Sequence, residues 1–360
     1  MENGTSKYKD INAENDANRE MLLVLDDVKV HIKTDEGILK AVDGVNFSIK
    51  KGKTMGLVGE SGCGKSLTSK AILAINPDNC KTMGRILFYK KDEDKPIDLA
   101  SLKKDGEEIR AIRGGNISMI FQEPMTAFSP FYTIGNQIME NVLIHKTKNK
   151  EEAREIAIKM LHEVGIANPE KRIDQYPHEF SGGMRQRAMI AMALCCNPDL
   201  LIADEPTTAL DVTIQAQVLE LMKQLQKEFN MAILFITHNL GVIAETCDDV
   251  AVMYLGKIIE KTSVEEIFKD PKHPYTKGLI KSIPKMGKKK EKLYSIKGSV
   301  PLPIDLPPGC SFYERCEYRI NGLCNKEPVP EIQVSENHVV SCFLYKHDNQ
   351  FNKTRDGDSI

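Results

Sequence analysis

Gly59-Glu60-Ser61-Gly62-Cys63-Gly64-Lys65-Ser66 follows a short apolar run, Met55 to Val58, and precedes a helical-looking segment, Leu67 to Ile75. The stretch fits G-x-x-x-x-G-K-[ST] between a strand and a helix, the context in which that pattern cradles phosphate. Its glycines let the backbone curl so that several N–H groups point into one concavity. The helix that starts there adds unpaired N–H groups and a positive dipole end. Lys65 can then reach β- and γ-phosphates, and Ser66 can ligate Mg²⁺. A glycine-rich turn can match this pattern by chance. The strand on one side and the helix on the other favour phosphate binding.

Outward from this loop, composition sets bounds. The chain has 360 residues, room for a large core and more than one domain. Its formal net charge of −2 does not suggest a nucleic-acid partner. Apolar runs such as Ala188 to Cys196 fall far short of a membrane span. Residues 1–20 are polar, read as a disordered tail, and contain no signal-peptide apolar region. A soluble, cytoplasmic chain is expected. Of nine cysteines, Cys310, Cys316, Cys324 and Cys342 cluster near the end, and the others are scattered. In a reducing compartment none is expected to form a disulfide.

Taken in order, Met21–Leu25 and Val28–Ile32 read as strands. Val45, Phe47 and Ile49 alternate with polar residues, as in a half-buried strand. Arg85–Tyr89 and Ile117–Phe121 are further apolar runs, the latter ending in Gln122-Glu123-Pro124. Over residues 151–164, Ala153, Ile156, Ala157, Met160, Leu161 and Val164 form one helical stripe. Leu200–Ala203 is a buried strand ending in Asp204-Glu205-Pro206. Asp211 can cap a helix whose apolar face is Ile214, Val218, Leu221, Met222, Leu225 and Phe229. Met231–Thr237 is strand-like and ends at His238. Alternating strands and helices imply a mainly parallel sheet, with ligands at the carboxyl ends of its strands. Gly59, Gln122, Asp204 and His238 each end a predicted strand and should converge on one face. An aspartate after a phosphate loop can hold Mg²⁺, and the adjacent Glu205 can polarise a water for attack on the γ-phosphate. Alone, Asp-Glu-Pro would read as an exposed turn.

The order of these motifs resembles the ATPase subunit of ATP-binding cassette (ABC) transporters over roughly residues 21–262. Gly59–Ser66 looks like the Walker A loop, Gln122 the Q-loop glutamine, and Ser181-Gly182-Gly183-Met184-Arg185-Gln186 the signature motif. Leu200–Glu205 looks like Walker B, Ala209-Leu210-Asp211 the D-loop, and His238 the switch histidine. The resemblance implies a P-loop NTPase fold: a mainly parallel sheet with an antiparallel β subdomain and a helical subdomain over about residues 125–190. It implies that Gly59, Ser61, Gly62, Cys63, Gly64, Lys65, Ser66 and Leu67 hold ATP, with Ser66, Gln122 and Asp204 around Mg²⁺. Glu205, His238, Lys65 and Gln122 would be catalytic. Two cassettes would sandwich two ATPs head to tail, so that Ser181, Gly182 and Gly183 serve the partner's site, and Asp211 would be a further nucleotide-binding residue. The sequence departs from the family at Phe180 (usually leucine), at Met184 (usually glutamine) and at Leu67. At Ile32 the family usually places an aromatic to stack on adenine.

Past Thr262 the composition changes and prolines concentrate. A basic run, Lys285 to Lys292, reads as a solvated loop. His273-Pro274-Tyr275-Thr276, Leu306-Pro307-Pro308-Gly309-Cys310 and Arg315-Cys316 resemble the extension of oligopeptide and dipeptide importer ATPases, here residues 263–346 before a polar tail, 347–360. Phe180 and Met184 also fit that subfamily, in the subunit that usually pairs with a second, non-identical ATPase. The spacing of the four cysteines is not the paired C-x-x-C of zinc ribbons. Some members of the subfamily carry a [4Fe–4S] cluster there; an iron–sulfur cluster, zinc and free thiols all stay open. The resemblance implies docking on two permease subunits at the cytoplasmic face of the membrane, with an extracytoplasmic peptide-binding protein. A nickel or other small-solute importer is a close alternative. A non-transport ABC ATPase would usually carry two cassettes or a long coiled-coil insertion. A GTPase would need an Asn-Lys-x-Asp reader, and Asn325 to Glu327 lacks the aspartate.

Overall fold

Five short apolar runs become the parallel heart of one sheet. In the computed structural model, which describes residues 20–91, 93, 95–122, 127–208, 210–283, 294–301, 303–304 and 308–346, they are β3 (Thr54–Val58), β6 (Ile117–Ile120), β7 (Leu200–Asp204), β8 (Ala232–Thr237) and β9 (Asp249–Tyr254). They pair in parallel in the order β9-β3-β8-β7-β6. Every residue of β3, β7 and β8 is buried. Such strands, covered on both faces, need continuous apolar sequence rather than alternation. The tail before residue 20, Glu123-Pro124, Ala209, the basic run, Leu306-Pro307 and the tail after residue 346 lie outside the described residues.

A second, four-stranded antiparallel sheet has the order β2-β1-β4-β5, from β1 (Met21–Thr34), β2 (Gly37–Lys50), β4 (Cys80–Phe88) and β5 (Ile97–Asp98). The two strands expected over Met21–Ile32 are one. The register shifts between Leu25 and Val28, where Asp27 takes a left-handed φ of 49°. A bulge absorbs the Asp26-Asp27 pair that interrupts the alternation. Asp26, buried, is met by Arg85 Nε at 3.0 Å.

After the phosphate loop come α1 (Lys65–Ile72) and α2 (Glu107–Ile112). A helical layer then follows: α3 (Ile134–His145), α4 (Lys150–Glu163), the single turn α5 (Pro169–Arg172) and α6 (Gly182–Leu194). Ala153, Ala157, Met160, Leu161 and Val164 of the predicted stripe are buried with Ile134, Ile138, Val142, Ala188 and Leu194 in one core, and Ile156 packs against it. Phe180 is also buried there, so the larger ring fills core space. α7 (Val212–Phe229) buries Val218, Leu221, Met222 and Leu225 as its periodicity predicts.

α8 (Leu240–Thr246) leads into β9. β10 (Lys257–Ser263) then turns antiparallel to β9 and spans the expected boundary near residue 262. The extension continues with α9 (Val264–Lys269), α10 (Pro274–Lys281) and a hairpin, β11 (Glu331–Ser335) and β12 (His338–Ser341). β12 pairs with β10, so the extension's hairpin lengthens the central sheet to eight strands. Buried Glu260 of β10 fastens the junction. It meets His338 Nε2 at 2.7 Å and accepts from the backbone N–H groups of Lys272 (2.6 Å) and His273 (2.9 Å). Among the described residues no helix is long and apolar enough to cross a membrane.

Candidate functional site

Gly59, Gln122, Asp204 and His238 end or follow parallel strands of the same sheet. The phosphate loop packs tightly at its base. A Cβ on Gly59 would lie 2.2 Å from the Met253 carbonyl oxygen. Gly64 has a φ of 102°, and a Cβ there would lie 2.3 Å from the Ala41 carbonyl oxygen. Both positions therefore need glycine. Cys63 is fully buried, and burial pushes its thiol up, so it offers the site its backbone and not its sulfur. Ser61 and Gly62 are exposed at the tip, and Leu67 is half-buried behind it.

Lys65 is 5% exposed, and its Nζ donates to the carbonyl oxygens of Gly59 (2.8 Å) and Glu60 (3.0 Å). Both acceptors are neutral, so an anion arriving at the loop gains a charge-assisted contact that these two bonds do not supply. Ser66 Oγ donates to Asp204 Oδ1 at 3.1 Å. Burial pushes the Asp204 carboxyl above its usual range, against the opposing Ser66 hydrogen bond. A buried carboxylate beside a hydroxyl is a hard-oxygen donor set that gains from a small divalent cation. These residues fit Mg²⁺.

Glu205 is the centre of a second cluster. Its carboxylate accepts from Gln122 Nε2 (3.1 Å) and Thr208 Oγ1 (2.9 Å) and meets His238 Nδ1 at 3.2 Å. Burial pushes its carboxyl up. Hydrogen bonds from His238 and Thr208, with the charges of His238 and Lys65, more than offset this and hold it below the usual range. The backbone is left-handed at Glu205, φ 47°, uncommon for a residue with a side chain. Gln122, expected near the metal, directs its amide to Glu205 in this structure. Thr208 escaped the sequence reading, although its spacing of three from Glu205 in a turn was a usable signal.

Ser181, Gly182 and Gly183 stand apart. Among the described residues no hydrogen bond joins them to Lys65, Ser66, Asp204 or Glu205. Ser181 Oγ caps α6, accepting from the Met184 N–H at 3.3 Å, and Ser181 and Gly182 are exposed. A Cβ on Gly182 would meet nothing within 4 Å, so packing inside this chain does not explain its glycine. An indirect link runs through Gln186, 1% exposed, whose Nε2 donates to the Pro206 carbonyl at 2.6 Å, beside Glu205. Asp211 caps α7, accepting from the Ile214 N–H at 3.0 Å. Ile32 is half-buried within β1, where it pairs with Leu39 and Cys80.

Cys310, Cys316, Cys324 and Cys342 line one small cavity with His273, Tyr313 and Phe343, and all four are free thiols. Burial, with neighbouring cysteines adding to it, pushes Cys310 up to about 11 and Cys342 up to about 12. Among the described residues no three of these or other ligating side chains converge as a single bound ion requires. That geometry supports neither the iron–sulfur cluster nor the zinc expected from the sequence.

The sheet, its loop and the Glu205 cluster are those of an ATP-binding cassette. A family model described as ABC transporter matches residues 42–208, and one described as the oligopeptide/dipeptide transporter C-terminal region matches residues 259–324. The dimeric, ADP- and phosphate-bound structure of the cassette MJ0796 aligns at TM-score 0.58 and 26% identity, over 68% of this chain and 99% of that one. CbiO1 of Clostridium perfringens, part of the transporter complex cbiONQ, aligns at TM-score 0.57 and 27% identity, over 70% and 92%. Two Bacillus subtilis relatives are similar over nearly their whole length. The dipeptide transport ATP-binding protein DppD is 48% identical over 90% of this chain and 95% of its own. The oligopeptide transport ATP-binding protein AppD is 49% identical over 91% and 98%. The chain belongs to the ABC transporter family, in the branch whose ATP-binding proteins carry the oligopeptide/dipeptide C-terminal region.

Proposed function

We propose that this chain is the ATP-hydrolysing subunit of a peptide importer, working at the cytoplasmic face of the membrane. The observation that carries the chemistry is the Glu205 carboxylate held by Gln122, Thr208 and His238, next to the Ser66–Asp204 pair and the phosphate loop. Peptide as cargo rests on the relatives' names and the C-terminal region, which favour it over nickel or another small solute.

In this reading Lys65 and the loop N–H groups bind the phosphates. Ser66 and Asp204 would hold Mg²⁺, which neutralises phosphate charge when bound. Glu205 orients the attacking water and takes its proton, and His238 steadies both the carboxylate and the γ-phosphate. Ser181 and Gly182, exposed at the start of α6, and half-buried Gly183 complete the site of a second cassette, a non-identical chain. The unexplained openness around Gly182 suits close approach by that partner's nucleotide. Gln122, bonded to Glu205, passes the state of the site to two permease subunits. An extracytoplasmic binding protein supplies the peptide.

The four cysteines would hold a [4Fe–4S] cluster, as thiolates around one cavity, in a structural role. What supports this reading is that all four cysteines line one cavity; the absence of a metal-holding group among the described residues speaks against cluster and zinc alike. Anaerobic purification should give about four irons and four sulfides per chain with broad visible absorption. Protein free of iron and sulfide would refute this. Uptake of labelled di- and oligopeptides, and of nickel in parallel, in a strain lacking the gene tests the function. Loss of peptide uptake alone, restored by wild type but not by Glu205→Gln, is expected. Loss of nickel uptake alone would overturn the cargo.

A further inference from the structure

The phosphate loop is gripped from the extension. Glu60, the second residue of the loop, is held at two points. Its backbone N–H donates to Tyr275 Oη at 2.9 Å. Its carboxylate accepts from both terminal nitrogens of Arg315, at 2.6 and 3.1 Å. Tyr275 lies in the first turn of α10 and Arg315 lies 255 residues from Glu60 along the chain.

This is not an ordinary surface pair. The Arg315 side chain is 6% exposed and that of Glu60 30%. Arg315 Nε also donates to the Lys297 carbonyl at 2.9 Å. The guanidinium lies over the rings of Tyr254 and Phe312, with centroids 5.8 and 5.9 Å away. Tyr254, Tyr275 and Phe312 pack ring on ring at 4.8 to 5.4 Å. A planar fork clamped in an aromatic block fixes the carboxylate in position and in rotation. On its other side, the Glu60 carbonyl receives Lys65 Nζ at 3.0 Å. One residue thus joins Arg315 to the lysine that meets phosphate. Beyond it, Ser61 and Gly62 are exposed, and Gly62, at φ 80°, has nothing within 4 Å of a Cβ. The tip of the loop has little of its own to hold its shape.

We propose that Arg315 and Tyr275 are positioning residues for nucleotide, acting through Glu60 to hold the phosphate loop in its binding shape. A loop already shaped loses less freedom when ATP arrives, so the contact acts on affinity. The inference rests on the reading of this loop as the ATP site. Arg315 directly precedes Cys316, so the cysteine region and the nucleotide site share one backbone segment.

The test is binding of a fluorescent ATP analogue to the full chain and to Arg315→Met, Glu60→Gln and the double variant. Each single change should weaken binding by about tenfold, the scale of one charge-assisted contact. The double should be no weaker than the worse single within about twofold, because both remove one link. Arg315→Lys should recover part of the loss, and in turnover assays KM for ATP should rise by a larger factor than kcat falls. A purely structural role would lower Tm without this pattern. Wild-type affinity in both singles, or fully additive losses in the double, would overturn the proposal. If Arg315→Met does not fold, Tyr275→Phe and Glu60→Gln read the same link from its other contacts. Failure of the wild-type chain to bind the analogue would overturn the ATP reading itself.

Discussion

Glu205→Gln separates binding from chemistry because the structure shows what each carboxylate oxygen does. Oε2 accepts from Gln122 and Thr208, and Oε1 faces His238 Nδ1. A glutamine with its oxygen in the Oε2 place keeps both donors and turns its NH₂ toward His238 Nδ1, which accepts from it in the tautomer that carries its proton on Nε2. The cluster is retained, and ATP affinity should change by less than about threefold, since only one charge-assisted bond is weakened. What disappears is the base. General-base catalysis contributes about 10²–10⁴ in rate. The Glu205 carboxyl lies below its usual range, because hydrogen bonds and positive neighbours outweigh the opposing effect of burial, so its basicity is modest. That puts the expected loss in the lower part of the range, about 10²–10³, or about 2.7–4 kcal/mol of barrier. Phosphate release from the assembled transporter, measured beside equilibrium binding of radiolabelled ATP, reads both. A loss under tenfold, or affinity falling in step with rate, would refute the assignment of Glu205 as the base.

Three further outcomes follow from particular contacts. His273 is buried, and its Nδ1 accepts from the Tyr275 N–H at 3.0 Å, so it must be neutral; burial pushes it to about 4, against the opposing charge of Glu260 and with that of Lys277. Between about pH 6.5 and about 4 the unfolded chain binds more protons there, so stability present above this window is lost as pH falls through it, up to about 3 kcal/mol. Urea unfolding at several pH values should show that slope, and His273→Asn, which keeps a cap acceptor without titrating, should flatten it. Ser181→Ala removes the α6 cap and should cost about 1 kcal/mol of stability, while lowering hydrolysis in the assembled dimer but not nucleotide binding by the isolated chain. Gln186→Leu leaves the Pro206 carbonyl without its buried donor and should cost about 1–3 kcal/mol by denaturant unfolding.

The nucleotide face was legible in the sequence for a physical reason. Strands buried on both faces must be apolar throughout, so β3, β7 and β8 announce themselves, and the residues that end them are then the candidate site. The stripe over 151–164 marks α4 for the same kind of reason. The bulge in β1 was not legible, because Asp26-Asp27 looks like a turn until Arg85 is seen beside it. The Gln122–Glu205 bond depends on side-chain direction at two strand ends, which no motif encodes. Arg315 and Glu60 are unremarkable charges at a separation of 255 residues. The hairpin β11–β12 is short, and its buried His338 finds Glu260 across 78 residues, so nothing local marks those strands as part of the central sheet.

That hairpin has a consequence for how the chain is made. β10 is an inner strand of the finished sheet, yet its neighbour β12 is translated only after roughly seventy more residues. At about 5–20 residues per second, β10 waits roughly 4–15 s on the ribosome with one row of backbone N–H and C=O groups unpaired. During that interval the cassette carries an open sheet edge, the surface on which nascent chains pair wrongly with one another. Ribosomes stalled or terminated within residues 264–330 would release a cassette whose sheet is unfinished, and its products should be found in aggregates or with chaperones.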